Sequence, residues 1–146
     1  MAASNLVSRL ATAAVGVPAL LALLYVGPAW GFFALIALAG CVGAFELYSM
    51  THPTDRVAQG VGVITCLLTS VCVYVFAEDA RVLMTLVLLA PIVGMLVVLW
   101  RLGDIETTAL RVMAGAFGPL YVGGCLTTLA LLRKDFPGAQ GAGYVV

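Results

Sequence analysis

One carboxylate lies inside an apolar stretch of this chain and away from its ends: Glu46, about one helical turn before the polar residues that begin at Thr51. A carboxylate at membrane depth is costly to ionise and commonly marks a functional site. Two other readings stand beside that one. The side chain can reach the headgroup layer and be solvated, or it can pair with a cation on a neighbouring helix, for which Arg111 is a candidate. Arg133-Lys134-Asp135 is the densest charge cluster, a basic pair suited to phosphate, although three charges in a loop more often form a solvated turn. His52 sits in a Pro-containing loop with no Cys or second His nearby, so a metal site has no support there. The four cysteines, Cys41, Cys66, Cys72 and Cys125, lie inside apolar stretches without a C-x-x-C pair and read as small packing residues. No Walker loop, G-x-G-x-x-G, H-E-x-x-H or G-x-S-x-G occurs. Residue types and spacing alone give no catalytic constellation and no metal site.

The elements that must position these residues are set by the solvent. Of 146 residues, 63% are hydrophobic and 10% charged, and the mean hydropathy is +1.13. A water-soluble domain of this size leaves much of its surface exposed and cannot bury so much apolar area. The apolar runs each have about the 17–25 residues that a helix needs to cross roughly 30 Å of hydrocarbon. They extend from about Leu6 to Val26, Trp30 to Tyr48, Val57 to Ala77, Val82 to Trp100 and Ala109 to Leu132, and Gly143-Tyr144-Val145-Val146 begins another. The expectation is an all-α, polytopic transmembrane helix bundle, with five spans plus the start of a sixth, forming a single domain over residues 1–146. Arg9 ahead of the first run resembles a signal peptide, but no A-x-A-like cleavage site follows, so the run reads as a retained helix. The formal net charge is zero, with no basic stripe for nucleic acid and no polybasic cluster for an anionic membrane surface.

Within the spans, Ala39/Gly43, Gly40/Ala44 and Ala114/Gly118 place small residues four apart, a spacing that lets helix backbones approach within one bundle. Gly115, Gly118, Pro119, Gly123 and Gly124 predict a kink or a close helix contact in the fifth run. Pro91 falls inside the fourth. Tyr25, Trp30 and Tyr48 stand where an interfacial aromatic belt would put them. With the N-terminus inside, Arg9, Arg56, Arg101 and Arg111 are cytoplasmic, against Arg81, Arg133 and Lys134 outside, a small bias toward that orientation.

The order of features resembles a known family. Arg9-Leu10-Ala11-Thr12-Ala13 precedes a run containing Pro18, and Pro28-Ala29-Trp30-Gly31-Phe32 follows it. The second run ends in Glu46-Leu47-Tyr48-Ser49-Met50. The fifth reads Gly118-Pro119-Leu120-Tyr121-Val122-Gly123 and closes in Leu131-Leu132-Arg133. Together these are similar to the N-terminal half of bacterial phosphatidate cytidylyltransferases (CDP-diacylglycerol synthases). The resemblance implies a nucleotidyltransferase of the bacterial inner membrane that moves a cytidylyl group from CTP to phosphatidic acid, with Mg²⁺ as cofactor. In that family the acidic and Lys-rich motifs that carry the chemistry come later, so the 146 residues are expected to be an inactive portion, without catalytic residues and without the Mg²⁺ ligands. Glu46 and Arg111, both near the cytoplasmic face in the N-inside orientation, are the residues expected to support the substrate site. The alternative is a non-enzymatic membrane protein, a transporter half or a scaffold subunit, for which Pro91 and Gly118-Pro119 would be helix breaks.

Overall fold

The structure is a computed structural model that describes residues 18, 21–22, 24–100 and 105–135. Helical residues up to Val26 lead through Gly27-Pro28 into α1 (Ala29–Thr51). Then come α2 (Arg56–Val75), α3 (Ala80–Trp100), α4 (Ile105–Gly118), a π-helical stretch (Pro119–Cys125) and α5 (Leu126–Asp135). Among the described residues, four segments are long and apolar enough to cross a membrane: Ala29–Thr51, Arg56–Val75, Ala80–Trp100 and Thr107–Asp135. The chain is therefore an all-helical integral membrane protein. These segments are the second to fifth expected spans. Most of the first, Leu6 to Val26, and the start of a sixth at Gly143 lie outside the described residues.

Short capped turns join the spans. Asp55 ends the α1–α2 connection, its Oδ1 accepting from the amides of Val57 and Ala58, both at 3.1 Å. Asp79 does the same for α3, accepting from Arg81 N at 2.9 Å. Each carboxylate satisfies amides that a helix start leaves without partners and sits at the positive end of the helix dipole. The last span, α4 through α5, packs against α1, α2 and α3, while α1 with α2 and α2 with α3 pack as neighbours.

The expected irregularity in the last span is a π-helical stretch. Pro119 has no amide to donate to Gly115, so the ladder widens there while the helix continues. Glycines let neighbouring backbones nearly touch: a Cβ on Gly94 would collide with the Gly115 carbonyl, and one on Gly123 with the Cys66 carbonyl. Of the small-residue pairs, Gly40/Ala44 and Ala114/Gly118 are buried, whereas Ala39 is exposed. α3 continues through Pro91 without a break and buries little besides Ala90 and Val98. Its Met84, Val87, Leu88 and Leu96 are exposed, as hydrocarbon permits.

One end of the bundle is tied by the cations that the sequence pattern suggests are solvated. Arg133 is buried, and its Nε donates to Leu24 O at 2.7 Å and its Nη2 to Gly27 O at 3.3 Å. Lys134 Nζ donates to Tyr74 O at 3.4 Å and lies 5.2 Å above the Tyr74 ring, which stacks on Phe33 at 4.0 Å. Both cations thus sit at the negative ends of other helices. Arg133 is a helix cap and neither a solvated turn nor a phosphate ligand. Tyr48 also departs from expectation: it is buried in the core, while Tyr25 and Trp30 are exposed near one end and Trp100 at the other.

Two measurements check this packing. Gly94→Ala should lower stability in detergent by about 1–3 kcal/mol, because the added methyl meets backbone that cannot move aside. Gly60→Ala, facing open space in α2, should be neutral or gain up to about 1 kcal/mol. Arg133→Leu should lower the thermal midpoint, with a cost of about 2 kcal/mol from carbonyls left without a donor.

Candidate functional site

At the opposite end from Arg133, the α1–α2 turn folds a group of polar side chains into the bundle. α1 ends at Thr51, and His52 caps it with its amide donating to Tyr48 O at 2.8 Å. Thr51, His52 and Gln59 are all buried. Gln59 Nε2 donates to His52 O at 2.6 Å, which ties the first turn of α2 back to the end of α1. Thr51 Oγ1 donates to Leu47 O at 3.0 Å and lies 2.9 Å from His52 Nδ1. A hydroxyl has one proton, and here it goes to Leu47. Thr51 therefore accepts from Nδ1–H of His52, which fixes the neutral tautomer with Nε2 as the acceptor.

One turn deeper, Tyr48 is the wedge between three helices. Its Oη donates to Ala114 O on α4 at 3.2 Å. Gly62 of α2 receives its ring, since a Cβ there would stand 2.5 Å from the ring carbons. Gly118 receives its hydroxyl, since a Cβ there would stand 2.7 Å from Oη. Between α2, α3 and α4, a void of about 20 Å³, bordered by Tyr48, His52, Thr65 and Gly94, has room for about one water.

Arg111 brings the positive charge. It lies in α4, half-buried, close enough to His52 to act on it electrostatically, and its Nε is enclosed without a hydrogen-bond partner. Burial of the ring first, and the Arg111 charge second, hold the His52 pKa below its usual 6.5, with Asp55 opposing. Glu46 is elsewhere: it is exposed, two residues before Tyr48 and so on roughly the opposite side of α1. The pairing of Glu46 with Arg111, one of the three readings of that carboxylate, does not form, because Glu46 faces outward from α1 whereas Arg111 lies close to His52 at the α1–α2 turn.

Among the described residues, no group of three His, Cys, Asp or Glu is placed to hold a metal ion. All four cysteines are free, with Cys66 buried against Tyr48 and Cys125 exposed. A second polar contact, Ser70 Oγ to Thr127 Oγ1 at 2.6 Å, lies deep between α2 and α5. There Thr127 donates to Gly123 O at 2.6 Å, so Ser70 is the donor to Thr127. Both residues are buried, and the contact pins the two helices together. The sequence pattern assigns no role to Thr51 and Gln59, and it reads Tyr48 as an interfacial aromatic. The juxtaposition Tyr48-x-x-Thr51-His52 at a helix end was the available signal, but its burial depends on glycines far along the chain.

The cytidylyltransferase family matches this chain over residues 7–145, almost its whole length. No curated protein and no solved structure matches it.

The His52 environment sets a pH dependence. With its folded pKa lowered, the unfolded chain takes up a proton first as pH falls below about 6.5 and the folded protein does not. Stability should therefore be highest above that pH and decline on the acid side until the folded pKa is reached. His52→Gln should flatten the acid limb in thermal unfolding, and Arg111→Gln should make it shallower. An acid limb identical in His52→Gln would place the titrating group elsewhere.

Proposed function

Because the chain belongs to the cytidylyltransferase family, we propose that it is a membrane-embedded helical portion of an enzyme that moves a cytidylyl group from CTP to phosphatidic acid. The products would be CDP-diacylglycerol and pyrophosphate, in phospholipid synthesis. The family match over residues 7–145 carries this reading. The spanning helices are in keeping with it, since a lipid acceptor has to be met in the plane of the bilayer.

In the proposed reaction a phosphate oxygen of the lipid bonds to the α-phosphorus of CTP. The bond from that phosphorus to the bridging oxygen breaks, and pyrophosphate leaves with the electron pair. Positioning and electrostatic stabilisation supply most of such catalysis. Arg111 suits this role, as a guanidinium with an enclosed, unused donor at the end of the bundle. Glu46, on the same end of α1, would contribute through the potential at the interface rather than by contact with Arg111.

Mg²⁺ is the cofactor this chemistry calls for, neutralising the triphosphate and held by a few carboxylates together with phosphate oxygens. The described residues do not fit it: Glu46 is isolated on the outer face of α1, and Asp55 accepts from the α2 amides. In this reading the metal ligands lie outside the described residues.

The end of the bundle carrying His52 and Arg111 is assigned to the cytoplasm, where CTP is, which puts the N-terminus inside in a bacterial inner membrane. The small excess of arginines on that side agrees. The alternative, a transporter half or scaffold subunit, draws on Pro91 and Gly118-Pro119 as helix breaks. α3 is continuous through Pro91, and the last span widens at Pro119 without losing its helix, so neither site favours that alternative.

The test is CTP labelled in its α-phosphate, supplied with phosphatidic acid to membranes containing the protein as its gene encodes it. Label should enter a lipid product only when phosphatidic acid is present, with release of pyrophosphate. Arg111→Gln should lower kcat/KM about tenfold, the effect of one charge-assisted hydrogen bond. Glu46→Gln should lower turnover less while leaving membrane insertion intact. Label entering lipid equally without phosphatidic acid would refute the acceptor, and unchanged turnover in Glu46→Gln would return that residue to simple solvation.

A further inference from the structure

Lipid alone does not suit the outer face of α1. Phe32, Ala39 and Glu46 stand seven residues apart and so form one stripe along the helix. At its start Phe32 is buried, in a cluster with Leu24 and Ala130. Further along, Ala39 and Glu46 are exposed, and Val42, Phe45 and Met50 around Glu46 are each more than half exposed. Val122 of the last span lies to one side of the stripe, beside Gly40 and Gly43. A carboxylate among lipid-facing apolar side chains, about one turn from the end of a span, is costly without a cation.

The first apolar run of the chain leads directly to that stripe. Arg133 holds the end of the run to the end of the last span, through Leu24 O and Gly27 O. A run of membrane-spanning length that finishes there comes from the opposite end of the bundle, antiparallel to α1. The turn at Gly27-Pro28 then sets the register. Leu24 and Phe32, four residues to either side of Pro28, share a cluster. Continuing outward in step, Val17 is level with Ala39, and Arg9 is within one residue of Glu46. The lengths agree: fifteen residues from Leu24 back to Arg9 make about 22 Å of helix, and fourteen from Phe32 to Glu46 make about 21 Å. Ala13, Gly16 and Val17 fall opposite Ala39 and Gly43, a pairing of mostly small residues that permits close backbone approach.

We propose that the segment from Leu6 to Val17, which lies outside the described residues, docks along the Phe32–Ala39–Glu46 stripe, with the Arg9 guanidinium paired to the Glu46 carboxylate. Three observations select this occupant. The interface already exists at Leu24, Phe32 and Ala130, and the segment is its continuation. The length of the run brings its start to the level of Glu46. Its single cationic side chain, Arg9, then meets the carboxylate of the face it covers. Glu46 in this arrangement anchors a helix, so its loss would act on the rest of the protein through the position of that helix. The inference is independent of the reaction proposed above.

The test joins a charge cycle to a cross-link, on the protein as its gene encodes it, in phosphatidylcholine nanodiscs. Arg9→Gln and Glu46→Gln should each lower the thermal midpoint by a few degrees, and the double variant should fall no further than either alone. Arg9→Glu combined with Glu46→Arg should recover at least half of the loss seen with Arg9→Glu alone. In a protein whose Cys41, Cys66, Cys72 and Cys125 are replaced by alanine, Val17→Cys with Ala39→Cys should oxidise to a disulfide within one chain. That bond is read as a linked peptide pair recovered from the monomer. Val17→Cys with Leu88→Cys, on the exposed face of α3, should not cross-link.

Additive losses with no recovery on charge exchange would overturn the ion pair. A Val17/Ala39 disulfide joining two chains would mean that a second copy covers the stripe, and would overturn the docking. Absence of any disulfide, with the thiol introduced at Ala39 still open to a lipid-soluble maleimide, would leave the stripe to lipid and overturn it equally. Should the charge variants fail to insert, the cross-link decides alone. Neither readout involves CTP, so the docking and the enzymatic reading stand or fall separately.

Discussion

In hydrocarbon, apolar side chains gain nothing by leaving lipid for one another, so a helix bundle must find its cohesion in close backbone approach and in polar groups that have no other partner. Close approach here depends on glycine. Gly94 against Gly115 brings α3 onto α4, and Gly123 brings the π-helical stretch onto α2 near Cys66. At these points a single methyl group would have to push backbone, which is why the last span can touch all three other helices. Pro119 contributes in the same place, since the widened ladder that follows it presents Gly123 to α2.

The polar groups follow the same rule at both ends. Arg133 and Lys134 reach across to carbonyls at the ends of other helices, and Asp55 and Asp79 reach back to the first amides of their own. Each charge is placed where the helix dipole favours it, and each satisfies backbone that lipid cannot. Their consequence is a bundle whose ends are tied rather than frayed. The tied ends in turn fix the height at which Arg111 and His52 sit.

Against that background Arg111 is the exception. Among the described residues, its Nε is the enclosed side-chain atom with no acceptor, and the same charge helps keep His52 neutral. His52, with its Nδ1 proton committed to Thr51, sits in a buried polar turn on which the Arg111 charge acts. The pinned Ser70–Thr127 pair, by contrast, is polar without being accessible and serves to lock α2 to α5.

The sequence by itself determined the solvent, the class and most of the helix limits. Hydropathy over spans of about the 17–25 residues that cross a bilayer is a local property, and so are the caps at Asp55 and Asp79 and the irregularity at Gly118-Pro119. The order of a few polar marks along those spans was also enough for the family. What only the tertiary structure decided was the partner of each polar side chain. Tyr48 reads as an interfacial aromatic until Gly62 and Gly118 are seen to receive it, and Arg133 reads as a solvated charge until Leu24 and Gly27 are found beneath it. Glu46 and Arg111 were equally prominent in the sequence, yet one turns outward and the other is half-buried with its Nε enclosed. The reason is that helical periodicity fixes which residues share a face but not which neighbour that face meets. That choice is made by contacts between residues many tens of positions apart.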